Sequence, residues 1–229
     1  MGCTLQVVGF RSTPAATSKR VYSGVLLRDL HYSGRVAILF AADFPSESTR
    51  LRRVNDGSVR AVARGVWTDS PHLTPEQLVA AHWREIVAQF LPGAVITGRT
   101  GFDHVPEDGH LFVSHSRWRP LELPGLIVYP DGRDEHRDDD VELEYGLYGA
   151  SIVRAIIDNS ETRGRPSAPP RRLSAEELRD RLRRILAGMT GDERALLLAA
   201  INSDQNGVAA DTAREIIASS YDVPLFDMF

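Results

Sequence analysis

Seven side chains between residues 46 and 64 have the chemistry to hold a polyanion. Ser46, Ser48 and Thr49 carry hydroxyls that donate to phosphate oxygens. Arg50, Arg53, Arg60 and Arg64 carry planar guanidinium forks that neutralise phosphates and match the acceptor edge of guanine. They lie in PSESTRLRRVNDGSVRAVARG, residues 45–65, in the basic part of the chain. Residues 1–69 hold ten Lys/Arg against five Asp/Glu, residues 70–160 seven against fifteen, and residues 161–229 ten against eleven. The overall charge of −4 therefore hides a basic front and an acidic middle.

Other chemistry finds less support. None of the seven histidines is spaced with a cysteine as a metal ligand, and His82 falls in an apolar helical stripe, as a satisfied core histidine does. Ser114 and Ser116 flank His115 without a nucleophile-elbow pattern. Asp134, Glu135, Asp138, Asp139, Asp140, Glu142 and Glu144 could attract a divalent cation, but they lack EF-hand spacing and read as a solvated loop. Lys19 is the only lysine, so no phosphate loop of the lysine-bearing kind is present. We expect a non-enzymatic protein without cofactor or metal. Cys3 is the only cysteine, so no internal disulfide can form, and a reducing, cytoplasmic setting is expected. No signal peptide and no uncharged apolar run of membrane-spanning length is found.

The elements that must position the basic side chains can be read from spacing. Ser46 or Ser48 caps a short helix, in which Leu51 and Val54 point to a core and Arg50, Arg52 and Arg53 lie on the other side. Asn55-Asp56-Gly57 ends it. Val59, Ala61 and Ala63 then alternate with Ser58, Arg60, Val62 and Arg64, a strand pattern. Gly65 permits a tight turn into a return strand, Val66–Thr68. A short helix followed by a two-stranded ribbon is the second half of a winged helix-turn-helix, which sets the helix in the major groove and the wing on the adjacent backbone. Upstream, 21–31 and 36–40 fit either helix or strand.

Further along, Thr74, Pro75 and Gln77 open a helix over 74–91 with an apolar stripe from Leu78 to Phe90. Ala94–Thr97, His110–Val113 and Leu121–Tyr129 predict a small sheet. Tyr148–Ile157 reads as a short helix and 159–172 as a linker. Ser174 with Glu177 and Thr190 with Glu193 are capping boxes for two more helices. Asp211 starts a last one, ending by Val223. The fold class is α+β: a winged helix-turn-helix over 1–70, a small α/β module over 71–160, and a linker with a helical tail over 161–229. The tail stripe of Leu178, Leu182, Ile185 and Leu186 either packs on the module or forms a homodimer or partner contact.

LFAADFPSESTRLRRVNDGSVRAVARGVWTDS, followed by LTPEQLVAAHWREIVAQFLPGAVITGRTGFD, resembles the AbiEi-type antitoxins of type IV toxin–antitoxin systems. The likeness is carried by ARGVWT at 63–68, PGAVITGRT at 92–100, DGHLFV at 108–113, LPGLIVY at 123–129 and YGLYGAS at 145–151, and covers about 36–160. Residues 1–35 depart from the family pattern. The resemblance implies a winged helix that binds double-stranded DNA at its own promoter, and a further domain that counters a cognate toxin of nucleotidyltransferase type. A similar module heads some Fic-type proteins, but the His-Pro-Phe signature and glycine-rich run of their catalytic core are missing. Two functions follow as expectations. One is a DNA-binding antitoxin that represses its own operon. The other is a regulatory module of a Fic-like or nucleotidyltransferase toxin system that binds protein instead of DNA.

Overall fold

The computed structural model describes residues 38–133, 136–161, 169–203 and 207–220, all within one compact unit that spans 36–229. The expectations for 1–37, for Asp134 and Glu135, for most of the linker and for the end of the last helix lie outside these residues. The described chain is mixed α+β, with six α-helices and two sheets. Among the described residues no helix is long and apolar enough to cross a membrane.

The first sheet has three antiparallel strands: β1 (Ile38–Leu39), β2 (Arg60–Ala63) and β3 (Val66–Thr68), in the order β1-β3-β2. Helix α1 (Glu47–Asn55) precedes the β2–β3 hairpin. Its cap is Ser46, which accepts from the Thr49 N–H at 3.2 Å, and Gly57 takes a positive φ of 76° just beyond its end. Gly65 at φ 82° makes the hairpin turn. The expected alternation along β2 breaks down, because a register shift between Ala61 and Ala63 leaves Val59 and Val62 as the buried residues. All three residues of the central β3 are buried. Val66 enters a large core, and Trp67 enters a small one with Phe44 and Val59.

Helix α2 (Pro75–Phe90) opens with the expected box, Thr74 and Gln77 bonding each other's backbone N–H. It buries Leu78, Val79, Trp83, Ile86 and Val87. At about 1.5–3 kcal/mol per fully buried large apolar side chain, this stripe is the main tie between the two sheets. One side meets Ile38, Val62 and Val66; the other meets the second sheet.

That second sheet has six strands in the order β6-β7-β5-β4-β9-β8. The strands are β4 (Val95–Ile96), β5 (His110–Ser114), β6 (Leu121–Leu123), β7 (Leu126–Pro130), β8 (Val141–Glu142) and β9 (Tyr148–Gly149). The pairs β5–β7 and β4–β9 are parallel and the others antiparallel. Tyr148 and Gly149 thus belong to a strand, which corrects the reading of 148–157 as one helix. Strand β9 pairs with β8 a few residues upstream and with β4 some fifty residues upstream, and β8 itself is only two residues long. Helix α3 (Ile152–Ser160) begins only after Ser151, which caps it.

Helices α4 (Ala175–Ala187), α5 (Gly191–Ser203) and α6 (Gly207–Ser220) follow. Both expected capping boxes are present, Ser174 with Glu177 and Thr190 with Glu193. The last helix starts at Gly207, ahead of Asp211. Leu178, Leu182 and Leu186 are buried with Ile156 of α3, Ile201 of α5 and Ala213 and Ile217 of α6, while Ile185 is partly buried. The stripe is therefore interior to this chain.

Candidate nucleic-acid interface and a buried arginine centre

The hydroxyls expected to meet phosphate form one group at the start of α1. Ser46 Oγ lies 2.9 Å from both Ser48 Oγ and Thr49 Oγ1. Ser46 and Ser48 are exposed and Thr49 is half-buried. A helix start leaves N–H groups pointing outward with partial positive charge, so hydroxyls there face an anion favourably.

The arginines divide in ways the spacing did not show. Leu51, expected in the core, is 48% exposed. The face of α1 that meets the hairpin instead carries Val54 and two guanidinium groups laid on aromatic rings. Arg50 sits 4.6 Å from the Trp67 ring centroid, and Arg53 5.7 Å from that of Phe44. Phe44 and Trp67 meet edge to face at 5.6 Å. The rings hold the guanidinium groups themselves, an arrangement specific to Arg over Lys. Arg50 also donates from Nε to Glu47 Oε2 at 3.0 Å and from Nη2 to Oε1. That pairing lowers the Glu47 carboxyl below its usual value.

Arg60 turns away from the others. Its Nε donates to the Ser70 carbonyl at 3.1 Å and its Nη2 to that of Leu73, so it fastens the loop before α2 to the hairpin. Arg64 stands exposed at the hairpin tip, and Arg52, not among the residues singled out in the sequence, is exposed on α1. The structure thus groups the three hydroxyls, sets Arg50 and Arg53 on the aromatic pair, and places Arg60 in a supporting position.

A second set of charges escaped the sequence reading. Arg154 of α3 is 2% exposed and donates from Nη1 to Asp140 Oδ2 at 2.5 Å. Its Nε lies 3.7 Å from Asp158 Oδ2, one helical turn on. Asp139 accepts from the Ser151 hydroxyl at 2.5 Å. The charged loop expected to be solvated is therefore partly folded under, with the Asp140 side chain wholly inaccessible. Arg171 extends the network: Nη1 donates to the Tyr129 carbonyl at 3.1 Å, and Nη2 faces Thr97 Oγ1 at 2.7 Å, the Val113 carbonyl at 3.0 Å and Asp131 Oδ2 at 3.3 Å. Its backbone carbonyl accepts from the Arg99 N–H at 2.8 Å and lies so near Gly98 that a Cβ there would stand 2.6 Å from it.

Burial pushes the Asp158 carboxyl up, against the pull of Arg154 and its neighbours, and lowers Arg171. The cleft between them encloses about 20 Å³, room for a water molecule or two, and pairs four arginines with three carboxylates. Guanidinium and carboxylate groups so nearly balanced form a structural network. Among the described residues no cluster of three His, Cys, Asp or Glu is arranged to hold a metal ion. Comparison of the chain with protein families, with curated proteins and with solved structures gives no match.

Proposed function

We propose that the protein is a DNA-binding antitoxin that represses its own operon, with α1 and the β2–β3 hairpin as the second half of a winged helix-turn-helix. One observation carries the reading: the hydroxyls of Ser46, Ser48 and Thr49 and the ring-mounted Arg50 and Arg53 occupy one short helix beside a hairpin tipped by Arg64. A helix start gives the phosphate its N–H groups and hydroxyls, and the arginines supply the counter-charge. The resemblance of 36–160 to AbiEi-type antitoxins adds the operon's promoter as the DNA and a cognate toxin as the partner, in the cytoplasm and without cofactor. Arg60 supports this surface by holding the loop at 70–73.

The test is a gel-shift titration of duplex DNA from upstream of the gene. Arg52, Arg53 and Arg64 changed together to Ala should weaken binding and flatten its dependence on salt, by about one unit of slope for each phosphate left without its arginine. Unchanged affinity in a folded triple variant refutes the reading. The alternative is a module that regulates a Fic-like or nucleotidyltransferase toxin by binding protein. The Glu47–Arg50 pair favours it, since it neutralises a cation in the first turn. Capture of the neighbouring gene product, with no DNA affinity at any salt, would select it.

A further inference from the structure

The loop between β5 and β6, HSRWRP at 115–120, lies apart in sequence and in fold from the surface just discussed. Trp118 is 70% exposed there, whereas Trp67 and Trp83 are 9% and 7% exposed. An indole left in water forgoes one of the largest burial gains a side chain can make. The loop is nonetheless well tied. The Arg117 N–H donates to His115 Nδ1 at 2.9 Å, and Ser114 Oγ donates to the Arg133 carbonyl at 3.1 Å, which joins this loop to the one after β7. Gly132, at φ 76°, backs onto Trp118, whose Cβ would touch an added Cβ at 3.5 Å.

One cation sits over the indole and two more are close in the loops that join here. Arg119 lies 5.0 Å from its centroid. Arg117 is adjacent in the chain, and Arg133, with a side chain 62% exposed, flanks Gly132. Among the described residues Asp131 is the one carboxylate that pairs within this group, and it already receives Arg133 and Arg171. Among the described residues no carboxylate pairs with Arg117 or Arg119. Arg117 and Arg119 put positive charge beside the indole, whereas Arg133 is paired with Asp131 in the acidic run 131–140.

We propose that this loop binds single-stranded nucleic acid, with Trp118 stacking on one base and Arg117, Arg119 and Arg133 meeting the flanking phosphates. An indole face needs a flat partner, and the guanidinium groups near it call for anions on either side. An unpaired strand offers both at the spacing of one nucleotide. A duplex hides its base faces in the stack and shows only edges, so the indole selects single strands. An apolar protein surface would leave Arg117 and Arg119 desolvated without a carboxylate, which disfavours it.

The experiment titrates the full chain with a twelve-residue oligothymidylate at low salt. It follows tryptophan fluorescence, with the anisotropy of a labelled oligonucleotide as a second signal. Saturable quenching is expected from the single strand and not from a duplex of equal length. Trp118→Ala should weaken binding by anisotropy about tenfold or more. Arg119→Ala should weaken it less and reduce the salt dependence. Both sites are exposed, so the far-ultraviolet dichroism should stay unchanged. The proposal is overturned if no quenching occurs, if Trp118→Ala binds as the parent does, or if polyglutamate quenches equally, which would mark an acidic protein as the partner. The Arg52, Arg53 and Arg64 triple variant should quench as the parent does. Loss of quenching there would move single-strand binding to α1 and overturn the assignment to Trp118. Because the two surfaces carry separate variants and separate probes, failure of duplex binding leaves this result readable.

Discussion

Arginine does opposite work in two parts of this molecule. Around α3, Arg154 and Arg171 are set among carboxylates and carbonyls: Arg171 has acceptors on Thr97, Val113, Tyr129 and Asp131, and Arg154 donates to Asp140 while its buried Nε, 3.7 Å from Asp158, makes no hydrogen bond among the described residues. On α1, the guanidinium carbons of Arg50 and Arg53 sit 4.6 and 5.7 Å from the ring centroids of Trp67 and Phe44, and Arg50 also pairs with the exposed Glu47. The first arrangement is costly to disturb, because removing either partner strands the other in a low-dielectric interior. The second is cheap, because water can replace whatever is removed. Residue type alone therefore says little about role; the neighbour decides it. At the surface a ring and an exposed carboxylate steady an arginine, whereas buried carboxylates and carbonyls fasten it into the interior.

Stability measurements can break or sharpen this contrast. Arg154→Met should cost most, about 3–5 kcal/mol by urea unfolding, since it leaves Asp140 buried and unpaired. The double change of Arg154 and Asp140 to apolar residues should recover part of that loss. A cost for Arg154→Met no larger than that of a surface arginine would end the comparison. Gly98→Ala should cost about 1–3 kcal/mol, seen as a lower Tm, because the residue has φ 57° and its Cβ would press on the Arg171 carbonyl.

Ser174→Ala, which removes the cap of α4, should cost about 1 kcal/mol. The same cap gives a pH signature. The backbone N–H of Ser174 holds the Glu177 carboxyl below its usual value. A lowered acid contributes stability above its unfolded pKa of about 4.3 and loses it as pH falls through the folded value. Tail helicity, read by circular dichroism, should therefore decline below about pH 4 in the parent, and less steeply in Glu177→Gln. Arg50→Ala should lower the Tm less than any of these, through the missing contact with Trp67. Arg64→Ala, at the exposed hairpin tip, should stay within about 0.5 kcal/mol while altering whatever binds there.

The parts legible in the sequence were those governed by residues a few positions apart. Thr74 with Gln77, Ser174 with Glu177 and Thr190 with Glu193 bond as their spacing requires, because a capping box is complete within four residues. Gly57 and Gly65 turn where only glycine turns easily. The errors arose where the partner is distant. Tyr148 and Gly149 are strand because they sit between the distant β4 and the two-residue β8, which is too short to show a pattern of its own. Leu51 is outside because Trp67 and Phe44 claim Arg50 and Arg53 for the inner face of α1. Nothing in the sequence marks Arg154, since Asp140 lies across a loop with no local pattern to join the pair. For the candidate interface, the hydroxyl group at the start of α1 was readable, and the inward turn of Arg60 was not, since its acceptors are main-chain carbonyls without a sequence signature.

Arg171 has one more implication, for the time course of synthesis. Its four acceptors, on Thr97, Val113, Tyr129 and Asp131, lie between 40 and 74 positions earlier in the chain. A polypeptide leaving the ribosome front end first would present those oxygens long before their clasp is made. The edge where β4, β5 and β7 come together is thus finished by a latecomer, and a chain cut short before residue 171 would be left with that seam unfastened.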